Sequence, residues 1–100
     1  MNLKIFMIVI GLVNPEEPEA FDHYVTSMRD LYSSVGAEII GRYPVFHVAV
    51  GEEKPDFVLI VEFPNEETLR SLSESADYKT LVPFRDKGFK DLKVYLSKNE

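Results

Sequence analysis

The chain has 100 residues, a formal net charge of −6, two histidines and no cysteine, and 45 % of its residues are hydrophobic. The length predicts one domain spanning residues 1–100, and the apolar content is ample for a packed core. The acidic balance and scattered basic residues disfavour nucleic-acid and membrane-surface partners. The lack of cysteine excludes disulfides, and the scarcity of histidine disfavours a metal site.

The first elements are a strand and a helix. Residues 4–13 are apolar on both faces, which is typical of a central strand covered on two sides. The run is too short for a secretory signal and lacks a small-residue cleavage pattern, so we expect a cytoplasmic protein. Residues 14–17, Asn-Pro-Glu-Glu, predict a helix start, because Asn caps and acids favour the positive end of the helix dipole. Apolar residues recur at helical spacing from Phe21 to Val35, and Gly36 is a natural stop.

Two further strands follow. Residues 38–50 read as a long strand interrupted near Gly41 and Pro44, and a proline belongs on an edge strand or at a bulge. Residues 51–56 form the predicted turn, and residues 57–63 are a second strand that is apolar on both faces.

The last elements are a helix and a strand. Residues 64–68 repeat the pattern of Asn followed by acids, so they predict a second helix start. Pro83 interrupts the following segment, and we expect a short helix and then a looser turn. Residues 91–96 alternate cleanly and predict a final strand with Leu92, Val94 and Leu96 on one face.

The order β-α-β-β-α-β is that of the ferredoxin-like fold, an α+β plan in which an antiparallel four-stranded sheet carries both helices on one face. The first and third strands would be central, yet each is apolar on its second face as well. Leaving half a dozen such side chains in water would forgo about 10 kcal/mol. We therefore predict a homodimer that packs sheet against sheet.

Several short motifs resemble an uncharacterised family of short proteins in the dimeric α/β-barrel superfamily. They are residues 36–38 and 41–42, the strand end 62–65, and Ser-Ala-Asp-Tyr at 75–78 followed by Arg85. The superfamily includes proteins similar to antibiotic-biosynthesis monooxygenases, muconolactone isomerase and EthD. The resemblance implies a dimeric α/β barrel with a small-molecule pocket between sheet and helices in each subunit. We expect no cofactor.

The candidate ligand-binding residues are Tyr24, Arg42, Glu62, Tyr78 and Arg85. Tyr78 and Arg85 share a helical face if their segment is helical, and Arg85 could hold a carboxylate at two points. The structural alternative pairs Arg85 with Glu62 or Asp86 and leaves Tyr78 as a packed aromatic. Tyr24 borders the apolar stripe of the first helix, where it either points its hydroxyl toward the sheet or simply packs.

His47 is the candidate catalytic residue. If Val50 opposes Phe57 across the predicted turn, His47 and Glu62 become diagonal neighbours on one sheet face. A carboxylate beside an imidazole fixes its tautomer and raises its basicity, as a general base requires. The alternative is a half-buried edge-strand histidine, with Glu62 a solvated or salt-bridged carboxylate. His23 is expected at the surface.

Three functions are compatible with these features. The first is a cofactor-free acid–base enzyme acting on a small anionic or aromatic acid. The second is a non-enzymatic small-molecule-binding module, and the third is a structural dimer whose interior its own side chains fill.

Overall fold

The structure, a computed structural model, describes residues 3–98. Its strands form one antiparallel sheet in the order β2-β3-β1-β4, so β1 and β3 are central and β2 lies at an edge, as predicted. This arrangement confirms the ferredoxin-like plan, except that two helices replace the predicted second helix. The elements are β1 (Ile5–Val13), α1 (Pro18–Ser34), β2 (Glu38–Pro44), β3 (Phe57–Phe63), α2 (Glu66–Glu74), α3 (Ala76–Gly88) and β4 (Phe89–Lys98).

The helices pack against one face of the sheet because alternate residues of β1 and β3 form the core with them. Ile5, Val61 and Phe63 are at most 3 % exposed. They meet apolar side chains from all three helices, namely Met28, Tyr32, Leu72 and Leu81. The intervening strand residues point to the opposite side. We call that side the open face; its apolar members on the two central strands are Phe6, Ile8, Ile10, Val58 and Ile60, all partly buried.

The first helix begins later than predicted. Asn14 does not cap it: its side chain accepts a hydrogen bond from the Glu16 amide at 3.1 Å, and its backbone N–H donates to the Gly88 carbonyl at 2.9 Å. The helix instead starts at Pro18, whose fixed φ suits a first helical position. The predicted start at residues 14–17 is therefore wrong, because Asn14 contacts the end of α3 and does not cap α1.

The second predicted helix is divided at Ser75. Asn65 caps α2 as expected, since its side-chain oxygen accepts from the Thr68 amide at 2.8 Å. Ser75 has an extended backbone and its hydroxyl accepts from the Tyr78 amide, which starts α3. The helix then continues through Pro83 to Gly88, so the looser turn predicted there is wrong. A proline removes one helical hydrogen bond, and in α3 that loss is confined to an exposed position.

The edge strand β2 is shorter than predicted and pairs in another register. It ends at Pro44, which lies opposite Phe57, and a shift between Ile39 and Gly41 marks a bulge. The prediction that residues 38–50 form one strand, with Val50 opposite Phe57, is wrong. We call residues 45–56 the connecting segment. It leaves Phe46 and Val50 more than 90 % exposed.

The last strand is longer than predicted but faces the predicted way. Its pairing with β1 places Leu92 opposite Gly11, Val94 opposite Val9 and Leu96 opposite Met7. These leucine and valine side chains lie on the helix-facing side of the sheet, yet Val94 and Leu96 remain about half exposed. The helices therefore do not fully cover the β4 edge.

Candidate functional site

A cavity of about 580 Å³ lies between the sheet and the helices. Its floor is the helix-facing side of all four strands, and its roof comes from α1, α2 and α3. Most of the lining is apolar, which suits a cavity that excludes water from a small ligand. The apolar lining residues are Met7, Val9, Val25, Met28, Ile39, Phe57, Leu59, Phe63, Leu69, Leu72, Phe89, Leu92, Val94 and Leu96.

Tyr78 and Arg85 form the polar corner of this cavity. They stand two helical turns apart on α3, so their side chains share a face, and Arg85 Nη1 donates to the Tyr78 hydroxyl at 2.8 Å. The Ser75 cap fixes the first turn and with it the position of Tyr78. Arg85 also contacts the Asp86 carboxylate at 3.2 Å, which is one of the two partners that the structural alternative named.

The Arg85 guanidinium stays protonated in this setting. Burial acts to lower the pKa of the guanidinium, but the Tyr78 phenol and the Asp86 carboxylate raise it further, and the net shift is upward. Because the Arg85 side chain is only 30 % exposed, its positive charge sits at a partly dry wall. A charged donor in such a place binds an anion more strongly than the same group would in water.

Two more tyrosines of α1 line the same end of the cavity. Burial raises the pKa of the Tyr24 phenol well above its ordinary value, and the neighbouring Tyr78 phenol adds to the shift. The pKa of Tyr32 is raised by burial in the same way. Both groups therefore stay protonated and can donate a hydrogen bond, which suits an acceptor such as a carboxylate or carbonyl oxygen.

Two further arginines line the cavity. The Arg42 guanidinium lies over the ring of Phe57, 4.6 Å from its centroid, in a cation–π contact. Arg29 extends from α1, one turn after Val25. Among residues 3–98, the cavity lining holds three arginines and no aspartate, glutamate or histidine. In a protein of net charge −6, this cavity is a concentration of positive charge.

The structure brings four of the six predicted site residues together. Tyr24, Arg42, Tyr78 and Arg85 all line the cavity. Sequence reasoning missed Arg29, Tyr32 and Ser73, which line it as well. The helical spacing Val25, Arg29, Tyr32 was the signal for two of these, since positions three and four apart share a face.

The other two predicted residues lie elsewhere. Glu62 is on the open face, opposite Glu38, and forms an ion pair with Lys4 at 2.8 Å. His47 is exposed in the connecting segment, beyond the end of β2. The predicted pairing of His47 with Glu62 is wrong, because it required β2 to continue in a register that the bulge and Pro44 prevent. A catalytic role for His47 stays a prediction without support from this geometry.

Two further features are absent from the described part of the chain. Within residues 3–98, no group of three His, Asp or Glu side chains is placed to hold a metal ion. Over the same range, no helix has the length and apolar character needed to cross a membrane.

Comparison with known families gives one match that spans most of the chain. Residues 7–97 match the family described as Domain of unknown function (DUF1330). This agrees with the resemblance noted in the sequence, which pointed to an uncharacterised family. No curated protein matches the chain.

Solved structures show the same fold at low sequence identity. A protein of unknown function from Rhodopseudomonas palustris is 17 % identical, with a TM-score of 0.88 over 100 % of this chain and 85 % of that one. A dimeric ferredoxin-like protein of unknown function from Thermobifida fusca is 13 % identical, with a TM-score of 0.65 over 99 % and 93 %. A candidate antibiotic biosynthesis monooxygenase from Nitrosomonas europaea is 15 % identical, with a TM-score of 0.66 over 95 % and 97 %.

Proposed function

We propose that this chain binds a small, largely apolar organic acid between its sheet and its helices. The chain belongs to the family described as Domain of unknown function (DUF1330). The observation that carries this proposal is the Arg85–Tyr78 hydrogen bond at the wall of an otherwise apolar cavity. Arg85 donates to the phenol through Nη1 and to Asp86 through Nε and Nη2, and each terminal nitrogen keeps a second N–H group with which to bind a carboxylate.

Binding is favoured over acid–base catalysis by the chemistry of the lining residues. Tyr24, Tyr32 and the arginines supply hydrogen-bond donors and positive charge. A reaction that removes a proton from its substrate needs a base, and the predicted base, His47, lies in the exposed connecting segment. The apolar lining supplies most of the affinity for the hydrocarbon part of the ligand, and Arg85 selects the acid.

Calorimetric titration with octanoate tests this proposal, after native mass spectrometry of the purified protein for a retained small molecule. The wild type is expected to bind octanoate and to bind octanol much more weakly, because octanol lacks the charge. Arg85→Ala should weaken octanoate binding about 10- to 100-fold, since a hydrogen bond to a charged group contributes about 1.5–3 kcal/mol. Tyr78→Phe should weaken it less.

The matched control is Arg70→Ala. Arg70 lies on α2, faces Glu66 at 3.7 Å and does not line the cavity, so its removal should leave octanoate binding unchanged. Binding that survives Arg85→Ala, Tyr78→Phe and His47→Ala at full strength would refute the site. Equal affinity for octanol and octanoate would refute the acid specificity.

We also propose that two copies associate through the open face. Its apolar side chains on β1 and β3 gain about 1.5–3 kcal/mol each when fully buried, and a second copy is the simplest cover. The related fold from Thermobifida fusca is described as dimeric, which supports this assembly.

We further propose that residues 1–100 form one domain, because the core cluster contains residues from both halves of the chain.

Light scattering during size-exclusion chromatography tests the dimer at micromolar concentration. We expect a dimer for the wild type and a monomer for Ile8→Lys, which places a charge at the centre of the open face beside Ile60 and Tyr95. The control Ser71→Lys, at an exposed position on α2, should remain a dimer. A stable wild-type monomer would contradict the assembly.

A further inference from the structure

We propose that the cavity contains a second anion-binding subsite, formed by Arg29 and Arg42, so that its ligand carries two acidic groups separated by an apolar spacer. This inference rests on the proposed function and specifies its ligand class as a dicarboxylic acid. The first acidic group binds at Arg85 and Tyr78. The second binds at the opposite edge of the sheet.

Arg42 and Arg85 enter the cavity from different elements. Arg42 projects from β2, one edge of the sheet, and Arg29 comes from α1, which contacts both β2 and α3. Arg85 comes from α3, which contacts the other edge strand, β4. Neighbouring strands are about 4.8 Å apart, so the two edges are separated by about 14 Å of sheet. Long arginine side chains reaching inward from each end leave room for a short spacer between them.

Ion pairing distinguishes Arg29 and Arg42 from Arg70 and Arg85. Among residues 3–98, neither Arg29 nor Arg42 takes part in an ion pair, whereas Arg70 and Arg85 each have a carboxylate partner. The sequence holds 17 acidic and 11 basic residues, so carboxylates are plentiful. None of the described ones lines the cavity. A carboxylate of the ligand would supply the ion-pair partner that Arg29 and Arg42 lack among the described residues.

The contact between Arg42 and Phe57 prepares the guanidinium for such a ligand. The guanidinium carbon lies 4.6 Å from the ring centroid, and a cation–π contact of this kind does not use the N–H groups as hydrogen-bond donors. Because the ring belongs to a buried residue of β3, it holds the charge over the cavity floor. An arginine fixed in this way loses less side-chain freedom when it binds an anion.

The middle of the cavity fits an apolar spacer. Met7 and Val9 of β1 and Leu59 of β3 lie between the two edge strands and carry no polar group. A ligand with a charge at one end would leave one arginine cluster without a partner. A ligand with charges at both ends satisfies both clusters and places its methylene or ring carbons against these side chains.

Calorimetric titration with octanedioate and octanoate, which have equal numbers of carbon atoms, tests this inference. The wild type is expected to bind octanedioate about tenfold more tightly than octanoate, although the second carboxylate makes the ligand more polar. Arg42→Gln and, separately, Arg29→Gln should each weaken octanedioate binding about tenfold and weaken octanoate binding by a smaller factor. Arg85→Gln should weaken both ligands, and the control Arg70→Gln neither. Both subsite arginines are exposed, so the variants are expected to fold.

Spacer length provides a second readout. Across hexanedioate, octanedioate and decanedioate, affinity should pass through a maximum, because a spacer must match a fixed separation. Equal affinity for the three would indicate general attraction of anions and would overturn the second subsite. Octanoate binding as tightly as octanedioate, with Arg42→Gln affecting both alike, would overturn the subsite and leave the proposed function intact. Binding of neither acid would overturn both.

Discussion

The two faces of the sheet are built by the same strands and end in different surroundings. On the helix-facing side, Val61 and Phe63 have no measurable exposure. On the open face, Ile8 and Ile60 are only partly buried, with no helix over them. β1 and β3 are therefore apolar on both faces of the sheet, and the two faces differ in whether helices cover them.

Polar residues distinguish the two surfaces more clearly than apolar ones. The helix-facing side holds Arg85 and Tyr78 at the wall of an incompletely filled space. The open face carries charges near both of its ends, as the ion pairs Lys4–Glu62 and Lys93–Asp91. Apolar area alone would not separate a ligand site from an interface. A partly buried cation next to empty volume does so, because it can bind an anion small enough to enter.

The largest expected effect is at the core of the helix-facing side. Phe63→Ala should lower the free energy of unfolding by about 3–5 kcal/mol, because it leaves a cavity among packed side chains. Urea denaturation at two protein concentrations measures it, and the loss should be similar at both. Ile60→Ala, on the open face, is the matched comparison. Its loss should be below about 2 kcal/mol and should depend on protein concentration, since a dimer is stabilised by mass action. Equal, concentration-independent losses would contradict the difference between the faces.

An intermediate effect is expected at alkaline pH, from the helix-facing side alone. Burial holds the pKa of the Tyr24 and Tyr32 phenols above the ordinary value of about 10. The unfolded chain releases these protons first, so the stability that they contribute is complete below about pH 10. It falls above that pH, by up to about 1.4 kcal/mol per pH unit for each group.

Urea denaturation at pH values on both sides of 10 checks this dependence. The double variant Tyr24→Phe, Tyr32→Phe should lose stability less steeply with rising pH than the wild type. Tyr43→Phe, at a half-exposed residue of the open face, should reproduce the wild-type slope. A double variant with an unchanged slope would show that these phenols are not protected from ionisation.

The smallest expected effect concerns the polar corner itself. Tyr78→Phe removes the acceptor of the 2.8 Å hydrogen bond from Arg85 and should cost about 1 kcal/mol of unfolding free energy. Thermal denaturation followed by circular dichroism measures this difference. Tyr95→Phe, at a half-exposed tyrosine on the open face, should change stability by less than about 0.5 kcal/mol. If both substitutions had the same effect, the hydrogen bond would have no structural role.

Local geometry explains why one predicted pair was confirmed as neighbours and the other was not. Tyr78 and Arg85 lie seven residues apart on one helix, and helical geometry alone puts them on one face. His47 and Glu62 were related through a strand register, which depends on where β2 ends. The bulge near Ile40 and the stop at Pro44 changed that register. A single-residue shift moves every side chain to the other face, so cross-strand pairs are hard to predict.

The two asparagines teach the same lesson for helix starts. Asn14 and Asn65 are each followed by proline-rich or acidic residues of similar character, and only Asn65 caps a helix. Asn14 instead contacts Lys87 and Gly88 at the end of α3. That contact joins residues more than seventy positions apart, so the local pattern cannot reveal it. The order of strands was predictable because apolar patterning over whole strands determines it.

The most direct test of the ligand site is a methyl-resolved NMR titration of the protein with octanoate. We predict concentration-dependent shifts of the Val9, Leu59 and Leu92 methyl groups, which line the cavity. The Ile8 and Ile60 methyl groups, on the other side of the same strands, should not move. Shifts at the open-face methyl groups with none in the cavity would contradict the account, because the acid would then bind where we place the dimer interface.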